Sequence, residues 1–193
     1  MHTEIEAKMR LEDAAAMEDR LRELSAEDAG RITEHDVFFD TADQSLRTSD
    51  RGLRLRSIKA ANGGEHTQSI VTYKGPRSHG EIKKRREIEF EVSDAEALDN
   101  LFGELGFSEA LRFEKRRRRW KLDACRVELD ELPHIGHFIE IEGPTEDAVM
   151  AMRDKLGLGD VPLVTSSYAA MLASYLADHG ITDRYVQFAD ESD

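Results

Sequence analysis

Residues 3–11 read TEIEAKMRL, and charged and apolar side chains alternate at every position from Glu4 to Leu11. In a β-strand successive side chains point to opposite faces, so this stretch predicts a strand with one charged and one apolar face. The apolar face needs a hydrophobic core, and the charged face needs water or opposite charge. The fold must satisfy both faces.

Seven further segments fit the same period of two and are bounded by turn residues. The eight predicted strands cover residues 3–11, 33–40, 52–59, 67–75, 81–92, 111–121, 126–132 and 137–143. Hairpin-like connections at residues 62–64 and 133–136 predict that most neighbouring strands pair antiparallel.

Helical patterns interrupt the strands at a few places. They cover residues 13–24, a stretch that begins with a capping box at Ser93 and Glu96, residues 145–157, and residues 167–178. Residues 86–107 and 137–158 share one design, an acid-alternating strand followed by a helix, which hints at an internal duplication.

These elements predict an α+β fold built on an eight-stranded antiparallel β-barrel. An open sheet would leave two edges, whereas closure removes both and lets helices cover the outer apolar faces. The charged set would then line a tunnel. The alternative is a half-buried sheet whose charged face is solvated. We expect a single tunnel domain over residues 1–180 and a loosely ordered acidic tail over residues 181–193.

The length of 193 residues favours one domain, and the composition excludes several classes of protein. No apolar stretch is long enough to span a bilayer and the N-terminus has no apolar signal segment, so a soluble cytoplasmic protein without a membrane partner is expected. Cys125 is the only cysteine, which excludes an intrachain disulfide and a thiolate zinc site.

The formal net charge of −13 argues against a sequence-independent nucleic-acid binder. Arginine supplies 19 of the 27 basic residues, and acids cover the predicted exposed helices. This profile suggests a salt-adapted, halophilic cytoplasm.

Like charges recur at alternate positions of the predicted strands, so each set calls for a ligand of opposite sign. Carboxylates suit hard divalent cations such as Mg²⁺ or Mn²⁺, and the first candidates are Glu4, Glu6, Glu140 and Glu142. Guanidinium and ammonium groups suit phosphate oxygens, and the candidate triphosphate-binding residues are Arg54, Arg56, Lys74, Arg85, Lys115 and Arg117.

Other readings of single motifs are weaker. Residues 116–119 are four consecutive arginines, but a strand divides them between its faces, so they do not form a stripe for nucleic acid. His134 and His137 lack a third metal ligand, and Tyr168 has the spacing of a packing residue in a helix.

Motifs in chain order resemble those of the CYTH superfamily, the triphosphate tunnel metalloenzymes that include class IV adenylate cyclases and thiamine triphosphatases. The resemblance spans about Thr3 to Tyr175. Residues 4–8 resemble its ExExK signature, and Phe38 replaces the tyrosine of its YFDT element at residues 38–41. The remaining matches are LRxR at 53–56, TxKGP at 72–76, RxE at 85–87, EKxR at 114–117, and the late acids Asp130, Glu140 and Glu142.

The resemblance implies an eight-stranded tunnel, dependence on Mg²⁺ or Mn²⁺, and a bound triphosphate. It implies catalytic roles for Glu4, Glu6, Lys8 and Glu87, with Lys8 also on the substrate, and it adds Asp130 to the metal ligands. Glu89 is predicted to point to the same face as Glu87, so the choice between these two acids as the catalytic glutamate stays open.

Three functions remain open on the sequence. A cyclase would convert ATP to cyclic AMP and pyrophosphate, and this reading is favoured on the resemblance. A triphosphatase would hydrolyse thiamine triphosphate or inorganic tripolyphosphate, and a non-catalytic module would only bind polyphosphate. The expected partner is a nucleoside or organic triphosphate or tripolyphosphate, and the chain is expected to be a monomer or a homodimer.

Overall fold

The computed structural model describes residues 2–60, 67–78 and 83–189. The strands are β1 His2–Arg10, β2 Glu27–Thr41, β3 Gly52–Ala60, β4 Thr67–Arg77, β5 Lys83–Val92, β6 Phe107–Leu122, β7 Cys125–Leu132, β8 Gly136–Glu142 and β9 Tyr185–Val186. The helices are α1 Ala14–Glu23, α2 Ser45–Thr48, α3 Ala95–Glu104, α4 Glu146–Lys155 and α5 Tyr168–Asp178.

Eight strands close into the antiparallel barrel that the sequence predicts. Their order is β2-β3-β4-β5-β1-β8-β7-β6, and pairing of β2 with β6 closes the ring. These two strands are longer than predicted, because they pair with each other from Glu27 opposite Lys121 to Thr41 opposite Phe107. The closed barrel confirms the predicted fold class and contradicts the solvated open sheet.

Two helices cover the outer apolar face on one side of the barrel. Met17 and Leu21 of α1 and Val149 and Met152 of α4 are buried in one core with the outward side chains of β1, β7 and β8. On another side, Phe102 of α3 packs on outward residues of β2, β3 and β4, namely Phe39, Leu55 and Val71. The apolar side chains of these strands are therefore buried as predicted. On β5 the prediction is wrong in part, because Ile88 and Phe90 are 39% and 58% exposed.

Helix α5 does not follow the prediction that every helix lies outside the barrel. Its Tyr168, Leu172 and Leu176 share a core with Phe113, which lies on the same face of β6 as Lys115 and Arg117. Other members of this core sit on the inward-facing positions of their strands: Leu111, Leu132 and Phe138. Helix α5 thus packs against the apolar end of the barrel interior.

Helix N-termini carry side-chain caps close to the predicted positions. Asp13, Thr145 and Ser167 each accept a hydrogen bond from a backbone N–H of the first turn. The cap of α3 is Asp94 rather than the predicted Ser93, since the Asp94 carboxylate accepts from the Ala97 N–H.

Helix α2 was not predicted, because it is only one turn long and depends on a contact from β2. The carboxylate of Asp40 accepts hydrogen bonds from the backbone N–H groups of Thr41 at 2.8 Å and of Leu46 and Arg47 at 3.0 Å each. Burial opposes ionisation of Asp40, but these donors hold its pKa below the ordinary value.

The C-terminal segment differs in part from the predicted loosely ordered tail. Tyr185 and Val186 form β9, which pairs parallel to β6 at Arg112 and Phe113, and Val186 is buried. The predicted turn at 62–64 and the predicted start of a strand at 81–82 lie outside the described residues. Within the described ranges, every helix is too short or too polar to cross a membrane.

Candidate active site

The barrel encloses a cavity of about 970 Å³, lined by the inward side chains of its strands. A cavity of this size suits a cofactor-sized ligand. It brings together all the predicted site residues but one, and these are Glu4, Glu6, Lys8, Arg54, Arg56, Lys74, Arg85, Glu87, Lys115, Arg117, Glu140 and Glu142. The exception, Asp130, is buried behind Arg117.

The four consecutive arginines divide between the two faces of β6. Arg117 and Arg119 line the cavity. Arg116 lies 3.7 Å from Glu131, and Arg118 lies 2.9 Å from Glu18 of α1. The alternation therefore leaves no continuous basic stripe on this strand, as predicted.

Arg56 is held by two carboxylates of β2. Its Nε and Nη2 donate to Oδ1 and Oδ2 of Asp36 at 2.6 and 2.7 Å, and its Nη1 lies 2.9 Å from Oε2 of Glu34. Burial opposes ionisation of both acids, but the neighbouring cations, with Arg56 the strongest, together outweigh it and lower their pKa values. Both acids are therefore ionised at neutral pH.

Lys115 and Arg117 continue this network on β6. Lys115 Nζ lies 2.8 Å from Glu34 and 3.5 Å from Asp130. Arg117 donates from Nε and Nη2 to both oxygens of Asp130 at 2.6 Å each, from Nη2 to Glu140 at 2.6 Å, and it also pairs with Glu128. We call the connected set of Glu34, Asp36, Arg56, Lys115, Arg117 and Asp130 the ion-pair layer.

Two lysines of the predicted site also contact acids. Lys74 Nζ lies 3.4 Å from Glu4 and pairs with Glu87. Burial disfavours the Glu87 carboxylate, but the charge of Lys74, the hydrogen bonds with Glu4 and Lys74, and the charge of Arg54 together outweigh it and lower the pKa of Glu87. Lys8 Nζ lies 3.1 Å from Glu140 and 3.8 Å from the centre of the Tyr168 ring.

Arg54 and Arg85 make different contacts, and we call them the open pair. Arg85 donates to the backbone carbonyl of Gly75 from Nε at 2.9 Å and to that of Asp50 at 3.0 Å. Arg54 donates to the Thr72 hydroxyl at 2.9 Å, with Glu89 at 3.8 Å and Asp36 at 4.0 Å. Arg54 is 8% exposed, and its buried Nε has no hydrogen-bond partner among the described residues.

The sequence patterns did not identify four residues that lie in or next to the cavity as site residues. Glu34 and Asp36 alternate with His35 and Val37 inside a predicted strand, so the charged period of two could have identified them. Glu128 precedes Asp130 by the same spacing. The sequence predicts only a packing role for Tyr168. Its hydroxyl donates a hydrogen bond to Asp130 at 2.9 Å, and no sequence pattern indicates this contact because it depends on where α5 packs.

The carboxylates fit a hard divalent cation by chemistry. Glu6 and Glu142 are register partners on the adjacent strands β1 and β8, and both line the cavity with Glu4. Asp130 and Glu140 have both oxygens in contact with cationic or hydroxyl groups. Within the described ranges, no three metal-ligating side chains form a preformed group. Mg²⁺ commonly uses one or two carboxylates together with substrate phosphates, so the donor set fits such a site.

The chain matches known proteins over most of its length. It is 26% identical to adenylate cyclase CyaB of Aeromonas hydrophila over 178 residues, which cover 87% of each protein. The solved structure of the PH1819 protein of Pyrococcus horikoshii has a TM-score of 0.78 at 27% identity and covers 89% of this chain and 99% of its own.

Another solved structure shares the same fold. The adenylyl cyclase homologue HpAC1 of Hippeastrum, described as having a dominant triphosphatase activity, has a TM-score of 0.70 at 21% identity and covers 89% of this chain and 96% of its own. The family model described as CYTH domain matches residues 2–167, which include every predicted site residue. The chain belongs to the CYTH domain family.

Proposed function

We propose that the protein is a divalent-metal-dependent enzyme that converts ATP to cyclic AMP and pyrophosphate. The observation that carries the proposal is Arg54, a buried guanidinium in the cavity wall whose Nε has no hydrogen-bond partner within the described part of the chain. A buried donor without a partner is costly, so this group favours a ligand that accepts hydrogen bonds.

The charges around Arg54 favour phosphate as that ligand. Arg85 lines the same cavity and contacts only carbonyl oxygens in the hydrogen bonds described above, so its positive charge is not neutralised by them. Lys8 and Lys74 also line this cavity. A guanidinium presents several N–H donors to phosphate oxygens, and a lysine adds a point charge.

A metal ion completes the proposed site. Glu4, Glu6 and Glu142 would hold it, in place of the contacts of Glu4 with Lys74 and of Glu142 with Arg126. Glu140 and Asp130 could join if they leave their own cationic partners. When bound, Mg²⁺ or Mn²⁺ would neutralise phosphate charge and polarise a phosphoryl oxygen.

An apolar wall favours a nucleoside substrate over a bare phosphate chain. Phe38 stacks on Phe113 with ring centres 5.8 Å apart, and both line the cavity with Leu111 and Ala173. In the proposed reaction the ribose 3′-oxygen forms a bond to the α-phosphorus, and the bond from that phosphorus to the bridging oxygen of pyrophosphate breaks. The 3′-hydroxyl proton passes to solvent water, and the cations stabilise the leaving pyrophosphate.

The second candidate is a triphosphatase, in which water attacks the terminal phosphorus and the organic group is dispensable. The activity described for HpAC1 supports it, since that protein has the same fold. A binding module without catalysis is less well supported, because it would need the cations but not the inward carboxylates.

Product analysis tests the proposal. Purified protein with ATP and Mn²⁺, at high salt to suit its acidic surface, is expected to form cyclic AMP and pyrophosphate, and Arg54→Ala should bind ATP about tenfold or more weakly. Arg118→Ala, on the outer face, is the matched control and should bind normally. ADP and orthophosphate, with rapid cleavage of tripolyphosphate, would instead establish the triphosphatase.

A further inference from the structure

The second half of β5 has an open edge. Residues 83–87 of this strand pair with residues 2–6 of β1, and β4 pairs along its other side as far as Val92. Among the described residues, the β1 side of residues 88–92 has no strand partner and no other backbone hydrogen bond. An unpaired strand edge presents backbone N–H and C=O groups with which another extended segment can pair.

Apolar side chains are exposed along the same edge. In the described part of the chain six large apolar side chains are exposed, and four belong to β5 or to α3, the next element: Ile88, Phe90, Leu101 and Leu105. Phe90 is the register partner of Val71 on β4, which is buried in the core under α3. The exposed ring therefore borders a core. Apolar side chains that are exposed together, rather than singly, mark an interaction site.

The charge of this region has one sign. Residues 87–111 contain eight acidic residues and no lysine, arginine or histidine. Glu89 and Glu91 alternate with Ile88 and Phe90, so the open edge has one acidic face and one apolar face. Glu91 is exposed and makes no ion pair within the described ranges. Its carboxylate can therefore attract a cation from a partner.

The acids make a second copy of this chain unsuited to the edge. Two-fold antiparallel pairing of β5 with itself would place like faces together, so Glu89 and Glu91 of one copy would lie opposite those of the other. Like charges directly opposite destabilise a strand pair. At physiological salt the Debye length is about 8 Å, so this repulsion is not screened. The complementary occupant carries basic side chains on that face and apolar side chains on the other.

We propose that residues 88–92 of β5 form a docking edge for an extended segment of another protein in which apolar and basic residues alternate. The segment would add to the sheet as a further strand and pair with the backbone of β5. Its apolar side chains would lie beside Ile88 and Phe90, and its basic side chains beside Glu89 and Glu91. Burial of the Phe90 ring supplies affinity, and the acids select a basic partner. The inference is independent of the reaction that the cavity supports.

Fluorescence anisotropy with labelled synthetic peptides tests the docking edge. A peptide of about ten residues in which valine and lysine alternate should bind the full chain. A peptide of the same composition with its lysines in one block should bind about tenfold or more weakly, because it cannot present its lysines on one face of a strand. Equal binding of the two peptides, or no binding of the alternating one, would overturn the inference.

Substitutions at the edge locate the binding. Phe90→Ser removes apolar area and Glu91→Lys reverses a charge that the peptide faces, so each should weaken binding of the alternating peptide about tenfold or more. Glu12→Lys makes the same change of charge at an exposed position just beyond β1 and should alter the affinity by less than about twofold. Both edge side chains are exposed, so these variants should fold. Unchanged affinity in both edge variants would contradict the proposed site.

Hydrogen exchange of the unmodified protein tests strand addition without any substitution. The alternating peptide should slow exchange about tenfold or more at alternate backbone N–H groups of residues 88–92, and slowing confined to other strands would overturn the inference. Sedimentation equilibrium tests the rival occupant. A dimer of the unmodified protein that Phe90→Ser dissociates would assign the edge to a second copy and exclude the proposed partner, whereas a monomer in both proteins supports it.

Discussion

The hydroxyl of Tyr168 donates a hydrogen bond to Oδ2 of Asp130 at 2.9 Å, and this contact joins α5 to the charged interior of the barrel. The same carboxylate accepts from Arg117, while the Tyr168 ring packs edge-on against Phe138 at 5.2 Å. Burial, followed by the charge of Asp130, raises the pKa of Tyr168, so the phenol stays protonated and remains a donor.

Replacing Tyr168 by phenylalanine should therefore lower the free energy of unfolding by about 1 to 2 kcal/mol, because a buried acceptor loses one donor while the ring packing remains. Urea denaturation measures this change. Tyr175→Phe, on the same helix, is the control, since the Tyr175 ring keeps its stacking on His134 and His179. An equal decrease in the free energy of unfolding of both variants would show that the hydrogen bond to Asp130 does not stabilise the fold.

Much of this architecture could be predicted because charged and apolar residues alternate along each strand in the sequence. Residues 3–11 specify which side chains face the core, and the structure places Met9 in the core and Lys8 in the cavity as that period requires. Closure of the barrel followed from the cost of exposed sheet edges. Both arguments need only local pattern and general physics.

What could not be predicted depends on contacts between distant parts of the chain. The pairing of Arg56 with Asp36 requires the register of β2 on β3, where these two residues are direct partners. The position of α5 requires knowing that Phe113 belongs to an apolar end of the interior, although its strand position is shared with Lys115. The short β9 depends on an edge offered by β6, which the tail sequence itself does not reveal.

Titration of Glu128 should make the free energy of unfolding depend on pH. Burial raises the pKa of Glu128 to about 7 from 4.5, so the folded protein keeps a proton that the unfolded chain has already lost. Raising the pH through this window should therefore destabilise the fold, by on the order of 1 to 3 kcal/mol. Stabilisation from the lowered pKa values of Glu34, Asp36 and Glu87 should be lost on the acid side, below their ordinary values near 4.

Urea denaturation between about pH 4 and pH 8 checks this expectation, with a stability maximum expected near pH 5. Glu128→Gln should abolish the decline on the alkaline side, because the side chain no longer titrates. Glu131→Gln, on the exposed face of the same strand, should keep it. A decline of the same slope in the Glu128 variant would assign the effect to another group.

Metal dependence distinguishes a catalytic role of the β1 acids from a structural one. Glu6 is 6% exposed and faces Glu142 across the β1–β8 pair, so its replacement by glutamine removes one charge at the proposed metal site without changing its volume. Triphosphate turnover should require Mg²⁺ or Mn²⁺, stop with excess chelator, and fall by roughly 100-fold or more in Glu6→Gln. Glu12→Gln, at an exposed position just beyond β1, should keep full turnover. The thermal unfolding temperatures of both variants should remain close to that of the unmodified protein. Turnover that persists in excess chelator would contradict this expectation. A Glu6 variant that loses its fold together with its activity would show that these acids support the barrel rather than the reaction.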